Sequence, residues 1–328
     1  MKKLDVLYTT NEAFLDITLA SCLSLIENGN IEEINLRIIT ENVSISGFNK
    51  IKDFVLKYNN VNLFLYPLEF FDIEKYNLPE WRGTQIANAR LFFREILGSD
   101  LEGVTNLLYL DSDTIVVGSL DGLEKYNDDI VCACKDDILL SDLERLNLDT
   151  YYNSGVLYIN PVKWIENECD LKILYTLLNN NYQLNYPDQD LLNLALSKDI
   201  TELTREYNFG PIMGMYNSLG NKLYFKDDIR LIKLEEIIMA QIDPKILHSY
   251  GLLNIKPWTN NSVNPFNEVF RKYLKIINPD FELSDSDTKF KFLVDKPQLV
   301  KLLALSRTCC PTNLSKMLVK IKKRLENN

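Results

Sequence analysis

The stretch Asn106-Leu107-Leu108-Tyr109-Leu110-Asp111-Ser112-Asp113-Thr114 decides how this chain is read. Four apolar residues in succession, Leu107 to Leu110, suit a strand buried on both faces, and the polar run after them marks its carboxyl end. Working back, similar segments stand at Leu4 to Thr10, Asn35 to Thr40 and Val61 to Leu65. Between them, helical periodicity covers 14–27, closed by Asn28-Gly29-Asn30, and a second helix falls near 47–58. Working forward, the pattern predicts a helix over 84–97, strands at 130–134 and 156–160, and helices over 161–180 and 188–197. The β-α-β-α-β order predicts an α/β fold with a mostly parallel, doubly wound sheet flanked by helices. Ligands on such sheets bind beyond the carboxyl ends of the strands. Thr9 to Asn11 and Asp111 to Asp113 both stand at such ends.

The chain has 328 residues and a net charge of −10. That acidity argues against wholesale nucleic-acid binding. An acidic chain handling an anionic substrate needs locally concentrated positive charge, from a metal or a few Arg and Lys. The six cysteines (Cys22, Cys132, Cys134, Cys169, Cys309, Cys310) form no C-x-x-C pair, and His248 is the one histidine, which argues against a Cys/His zinc site. Met1-Lys2-Lys3-Leu4-Asp5 carries no apolar leader, and no apolar run approaches the ~20 residues of a membrane span. A cytoplasmic protein with reduced thiols is expected.

Two carboxylates two residues apart, just past a strand end, can reach one hard cation. Mn²⁺ or Mg²⁺ held there keeps positions open for diphosphate oxygens and stabilises a departing diphosphate. The competing use is a turn, since Asp and Ser are common turn and cap residues. His248 lies in Ile246-Leu247-His248-Ser249-Tyr250-Gly251, followed by Lys256-Pro257-Trp258. A neutral imidazole suits Mn²⁺ as a third ligand, and a lysine meets a phosphate as a point charge. A lone histidine can equally be structural. Asp188, after Pro187, is a good helix N-cap, with Asp190 in the first turn.

Several motifs together resemble glycosyltransferase family 8, the retaining GT-A enzymes that include bacterial lipopolysaccharide galactosyl- and glucosyltransferases. In the family's order they are Tyr8-Thr9-Thr10-Asn11; Asn88-Ala89-Arg90-Leu91; Leu108-Tyr109-Leu110-Asp111-Ser112-Asp113; Asn153-Ser154-Gly155-Val156; Asp188-Gln189-Asp190; and His248…Gly251…Lys256-Pro257-Trp258. They span roughly residues 3–260. The resemblance implies a GT-A fold, a UDP-sugar donor carrying glucose or galactose, Mn²⁺ (or Mg²⁺), and retention at the anomeric carbon. It implies that Thr9, Thr10 and Asn11 contact uracil and ribose, with Phe14 nearby, and that Arg90 binds the sugar or phosphate region. Asp111, Asp113 and His248 would hold the metal, and the Ser112 backbone would touch the ribose. Asp136, Asn153 and Ser154 would line the sugar pocket, with Asp188 on sugar hydroxyls and Gln189 near the anomeric carbon. Gly251 and Lys256 would close over the phosphates, although the linker between them is longer and more apolar than is usual in the family. The acceptor implied is a glycan, glycoprotein or lipid-linked glycan of the bacterial surface. A phosphatase whose nucleophile sits in Asp-x-Asp is the weaker alternative, since Ile115 stands where that class places Thr or Val. A non-catalytic UDP-sugar-binding protein is the other.

Composition divides the chain near 265. Residues 1–265 are expected to form the catalytic domain and 266–328 a helical, basic extension. From Lys289 onward ten Lys and Arg face only Asp295 and Glu326. Leu314, Met317, Leu318, Ile321 and Leu325 fall on one helical face, so residues 289–328 either contact an anionic membrane surface or pack on the domain. A place at the inner face of the cell membrane is compatible with the first use.

Overall fold

The computed structural model describes residues 1–81, 83–136, 140–179, 183–215, 234–250, 256–260 and 262–285. Gly251 and the basic segment 289–328, with the helical face at 314–325, lie outside the described residues.

Seven strands form the main sheet: β1 (Lys3–Asn11), β2 (Glu33–Glu41), β3 (Val61–Pro67), β4 (Leu107–Leu110), β6 (Val131–Lys135), β7 (Tyr152–Ile159) and β8 (Ile200–Glu202). Their order is β3-β2-β1-β4-β7-β6-β8. Pairings β1–β2, β1–β4, β2–β3 and β6–β8 are parallel, whereas β7 runs antiparallel to both β4 and β6. The expected mostly parallel sheet is present, with one reversed strand. A second, two-stranded sheet pairs β5 (Thr114–Val116) with β9 (Ile246–His248).

Alternation along the strands divides the core between the sheet's two faces. Val6, Tyr8, Leu108 and Leu110 pack in one cluster with α1 (Leu15–Asn28) and α2 (Ile45–Val55). Leu7, Leu107 and Tyr109 pack in the other with α3 (Phe93–Leu97) and residues of the later helices α5 (Pro161–Glu166), α6 (Cys169–Leu178) and α7 (Pro187–Leu196), whereas α4 (Leu140–Leu146) packs with Tyr151 in a small separate cluster. The helix Asn267–Ile277 joins the first cluster through Phe270, Tyr273 and Leu274. Asn28 Nδ2 donates to Tyr273 Oη at 2.7 Å, and Asn278 Nδ2 donates to Asp16 Oδ2 at 2.8 Å.

Three local expectations change. The helix expected over 84–97 is a 3₁₀ turn, Asn88–Phe92, followed by the short α3. Arg90 Nε donates to Ala87 O at 2.8 Å, taking a carbonyl that a continuous helix would use for itself. The helix expected over 161–180 breaks in two where Glu168 adopts φ 54°. The strand expected over 156–160 starts earlier, since β7 begins at Tyr152 and takes in Asn153 and Ser154.

Candidate functional site

The chain leaves β4 at Leu110 and turns at once through Asp111-Ser112-Asp113 into β5. Backbone and hydroxyl groups hold the turn. Asp111 N donates to Gly155 O at 2.8 Å, Thr114 Oγ1 to Asp111 O at 2.8 Å, and Ser112 Oγ to Thr9 O at 2.9 Å. Both aspartate side chains are therefore left over for other partners. The turn and the cation-site readings are compatible because different atoms serve each.

The β5–β9 ribbon sets Thr114 directly opposite His248. His248 Nε2 consequently lies 3.1 Å from Asp113 Oδ1 and 3.5 Å from Asp111 Oδ2. One ligand atom from each of Asp111, Asp113 and His248 falls within 4.8 Å of the others. Two carboxylate oxygens and an imidazole form a donor set suited to Mn²⁺ or Mg²⁺. The surroundings fit such an ion. His248 is 2% exposed and its Nδ1 is 2.9 Å from Asn208 Oδ1, so Nε2 is the nitrogen turned to the carboxylates. A Cβ at Gly155 would lie 2.2 Å from His248 Cε1 and 2.5 Å from Asp111 Oδ2, so only a glycine leaves room there. Lys256 Nζ bonds Asp113 Oδ2 and, at 2.6 Å, Ser249 O.

Burial opposes charge on all three groups, and their neighbours overcome it. For Asp111 the Arg90 guanidinium and His248 hold the carboxyl at about 2. For Asp113 the Lys256 ammonium and His248 hold it well below the usual carboxylate range. For His248 the two carboxylates outweigh burial and raise the imidazole to about 9. Without a bound cation the cluster is an imidazolium between two carboxylates.

Arg90 joins this corner to a second group of polar residues. Its Nη1 lies 2.9 Å from Asp111 Oδ1 and its Nε 3.2 Å from Asp188 Oδ2. Nη1 also donates to Ser154 O at 2.9 Å, and the guanidinium carbon lies 4.7 Å from the centre of the Tyr109 ring. Tyr109 Oη donates to Asp111 Oδ1 at 2.7 Å. Arg90 is 6% exposed and bridges two carboxylates. Burial raises the pKa of Asp188, with Arg90 acting in the opposite direction.

On the far side of Arg90, Ser154 Oγ donates to Asp188 Oδ2 at 2.8 Å. Ser154 N donates to Gln189 Oε1 at 3.0 Å, and Gln189 Nε2 donates to Asp136 Oδ2 at 2.9 Å. With a fixed donor at one end and a carboxylate at the other, the Gln189 amide has one orientation. Asn153 Nδ2 donates to the same Asp136 oxygen at 3.2 Å. The expected cap at Asp188 is not there. The N-cap of α7 is Tyr186, and Asp188 lies inside the first turn. Asp190 Oδ2 instead receives Asn185 N at 2.7 Å and Tyr186 N at 3.1 Å, so the carboxylate that satisfies the helix entry is Asp190.

At the end of β1, Thr9 Oγ1 is 3.0 Å from Tyr109 Oη and Thr10 Oγ1 is 2.7 Å from Thr18 Oγ1. Asn11 Oδ1 receives Phe14 N at 3.1 Å and caps the turn into α1. The Phe14 ring stands edge-on to Trp258 at 6.0 Å, which brings the Lys256-Pro257-Trp258 block over the end of β1. The structure thus gathers Asp111, Asp113, His248 and Lys256 in one corner, and Arg90, Asp136, Asn153, Ser154, Asp188 and Gln189 in an adjoining one. Sequence reasoning did not single out Asn208, nor the close approach at Gly155. Neither leaves a periodic signal, because each serves a contact between segments distant in sequence.

Residues 5–262 match the family model described as "Glycosyl transferase family 8". The chain is 29% identical over 217 residues to a lipopolysaccharide 1,2-glucosyltransferase of Escherichia coli strain K12, covering 62% of each chain. It is 28% identical over 201 residues to glycosyltransferase GlyB of Streptococcus pneumoniae, covering 61% of this chain and 45% of that one. It therefore spans less than two thirds of the length of these two relatives. Among solved structures, the galactosyltransferase LgtC in complex with donor and acceptor sugar analogues superposes with a TM-score of 0.65 at 18% identity, covering 84% of this chain and 96% of that one. This likeness concerns the GT-A fold.

Proposed function

The chain belongs to glycosyl transferase family 8, and on that premise we propose that it moves a hexose from a UDP-sugar to a glycan acceptor, with retention and in dependence on Mn²⁺. The observation that carries this is the convergence of Asp111, Asp113 and His248 within 4.8 Å, beside the Arg90-Asp188-Gln189 group. Glucose and galactose are the two donor sugars. A relative named as a lipopolysaccharide 1,2-glucosyltransferase favours UDP-glucose first. A glycan, glycoprotein glycan or lipid-linked glycan is the acceptor class.

Asp111, Asp113 and His248 would hold the ion. When bound, it supplies positive charge to a departing diphosphate. Thr9, Thr10, Asn11 and Phe14, with the Ser112 backbone, form the nucleoside end of the site. Lys256 would exchange Asp113 for the diphosphate, and Gly251 is assigned to the phosphates on the family resemblance alone. Asp136, Asn153 and Ser154 line the sugar pocket. Arg90 holds Asp111 and Asp188 in place and presents positive charge between them.

Retention by double displacement needs a nucleophilic carboxylate beneath the sugar. Asp188 Oδ2 is engaged by both Arg90 and Ser154, and Gln189 is a neutral amide. Neither is a good nucleophile. A front-face course follows, in which the acceptor hydroxyl gives its proton to the leaving diphosphate on the same face. The Gln189 carbonyl stabilises positive charge developing at the anomeric carbon. A screen of UDP-sugars with Mn²⁺, reading UDP release with and without acceptor glycans, tests the proposal. Tight UDP-sugar binding with neither hydrolysis nor transfer would mark a binding protein instead. For the segment 289–328 the proposal is peripheral contact with an anionic membrane, tested by liposome flotation of the full chain against a version ending near 288.

A further inference from the structure

The hydrogen-bond directions around His248 follow from one unambiguous donor. Gly155 N can only donate, and it does so to Asn153 Oδ1 at 3.0 Å. That oxygen also receives Asn208 Nδ2 at 2.9 Å, while Asn153 Nδ2 is turned to Asp136. With its nitrogen committed to Asn153, Asn208 presents Oδ1 to His248 Nδ1 at 2.9 Å. An amide oxygen only accepts, so Nδ1 carries a hydrogen. The lone pair of the neutral imidazole is then on Nε2, the atom facing Asp111 and Asp113. Asn208 is fully buried, so bulk water does not substitute for it.

We infer that Asn208 is a positioning residue that sets the tautomer and ring orientation of His248 and, through Asn153, ties that setting to the Asp136-Gln189 pocket. Two routes then connect the metal corner to Gln189. One runs His248-Asn208-Asn153-Asp136, the other Arg90-Asp188-Ser154. Outer partners of this kind orient a metal-bound histidine and raise its basicity. The inference rests on the metal assignment proposed above.

The test is Mn²⁺ binding by the whole protein without donor, followed by calorimetry or by the electron paramagnetic resonance of free Mn²⁺. Asn208→Ala is expected to weaken Mn²⁺ binding roughly 10- to 100-fold. Asn208→Asp still accepts from Nδ1 but offers no donor to Asn153. It should retain most of the Mn²⁺ affinity while raising the donor KM more than it lowers kcat. Because His248 is the one histidine, ¹⁵N-histidine NMR of the metal-free wild type, at a pH that neutralises the ring, reads its tautomer directly. This measurement stands even if Asn208→Ala does not fold. An Nδ1–H tautomer with weakened Mn²⁺ binding in Asn208→Ala supports the inference. An Nε2–H tautomer, or unchanged Mn²⁺ affinity in Asn208→Ala, overturns it. A wild type that binds no Mn²⁺ overturns the underlying metal assignment instead.

Discussion

Gly155 and His248 approach so closely that a Cβ on the glycine would lie 2.2 Å from His248 Cε1. His248 is buried and held at both ring nitrogens, and Asp111 closes the same space, so neither can give way cheaply. Gly155→Ala is expected to destabilise the protein by about 1–3 kcal/mol, the usual range for overpacking. Its loss of Mn²⁺ affinity should exceed its loss of stability. Denaturant unfolding and a Mn²⁺ titration on the same preparation check both. Normal Mn²⁺ binding in the variant would count against this geometry.

Asp113 carries one of the two carboxylates nearest His248 Nε2 and also holds Lys256. Asp113→Asn keeps the shape and removes the charge. We expect Mn²⁺-dependent UDP release to fall to background while UDP-sugar binding weakens less. Wild-type turnover in the variant would refute the metal assignment.

Metal binding should release a proton. The metal-free imidazole is raised to about 9, so at pH 7 His248 is protonated, whereas a ligand must be neutral. Mn²⁺ affinity is therefore expected to climb as pH rises from 7 towards 9. Calorimetry in buffers of differing ionisation enthalpy should show about one proton released per ion at pH 7. The same shift links to stability. The unfolded imidazole titrates near ~6.5, so this contribution to the metal-free fold is complete below that pH and is lost as pH rises through about 9. No proton release at pH 7 would contradict this picture.

Arg90, itself buried, compensates the buried Asp188 and the half-buried Asp111 at once. Arg90→Met leaves the buried Asp188 without its cation and Asp111 with His248 alone, and a loss on the order of 3–5 kcal/mol is expected. Arg90→Lys keeps the charge but lacks the fork that spans both partners and Ser154 O. It should recover part of the stability and little of the activity. Thermal melts paired with donor kinetics separate the two effects.

Gln189→Ala should lower kcat strongly without abolishing it, since an electrostatic contribution is lost and no covalent step is removed. Intact-protein mass spectrometry during turnover is expected to show no glycosyl adduct on Asp188. Isolating one would end the front-face proposal.

Six of the seven strands of the main sheet were readable because apolar runs such as Leu107 to Leu110 are buried on both faces, whereas β8, only three residues long, was not. Strand direction was not readable. β7 is as continuously buried as β1, and nothing in Tyr152 to Ile159 records that it runs the other way. The helix expected around Arg90 failed because periodicity ignores a side chain that takes a backbone carbonyl, as Arg90 does at Ala87. Asp111 and Asp113 were legible from their place after a strand. His248 became a partner only through the order of motifs, since the three-residue β5 gives almost no signal of its pairing with β9. Asn208 was invisible, as one buried amide in a loop carries no pattern.

The β5–β9 ribbon also bears on how the protein comes into being. A chain emerging from the ribosome can close β1, β2, β3 and β4 long before residue 248 exists. Asp111 and Asp113 must then wait, close together and unbridged by an imidazole, until Ile246–His248 docks against Thr114–Val116. Pairing so distant in sequence forms late and slowly. On the proposed metal assignment, ion binding should therefore be among the last properties acquired during biosynthesis, and a stalled nascent chain would carry Asp111 and Asp113 without His248.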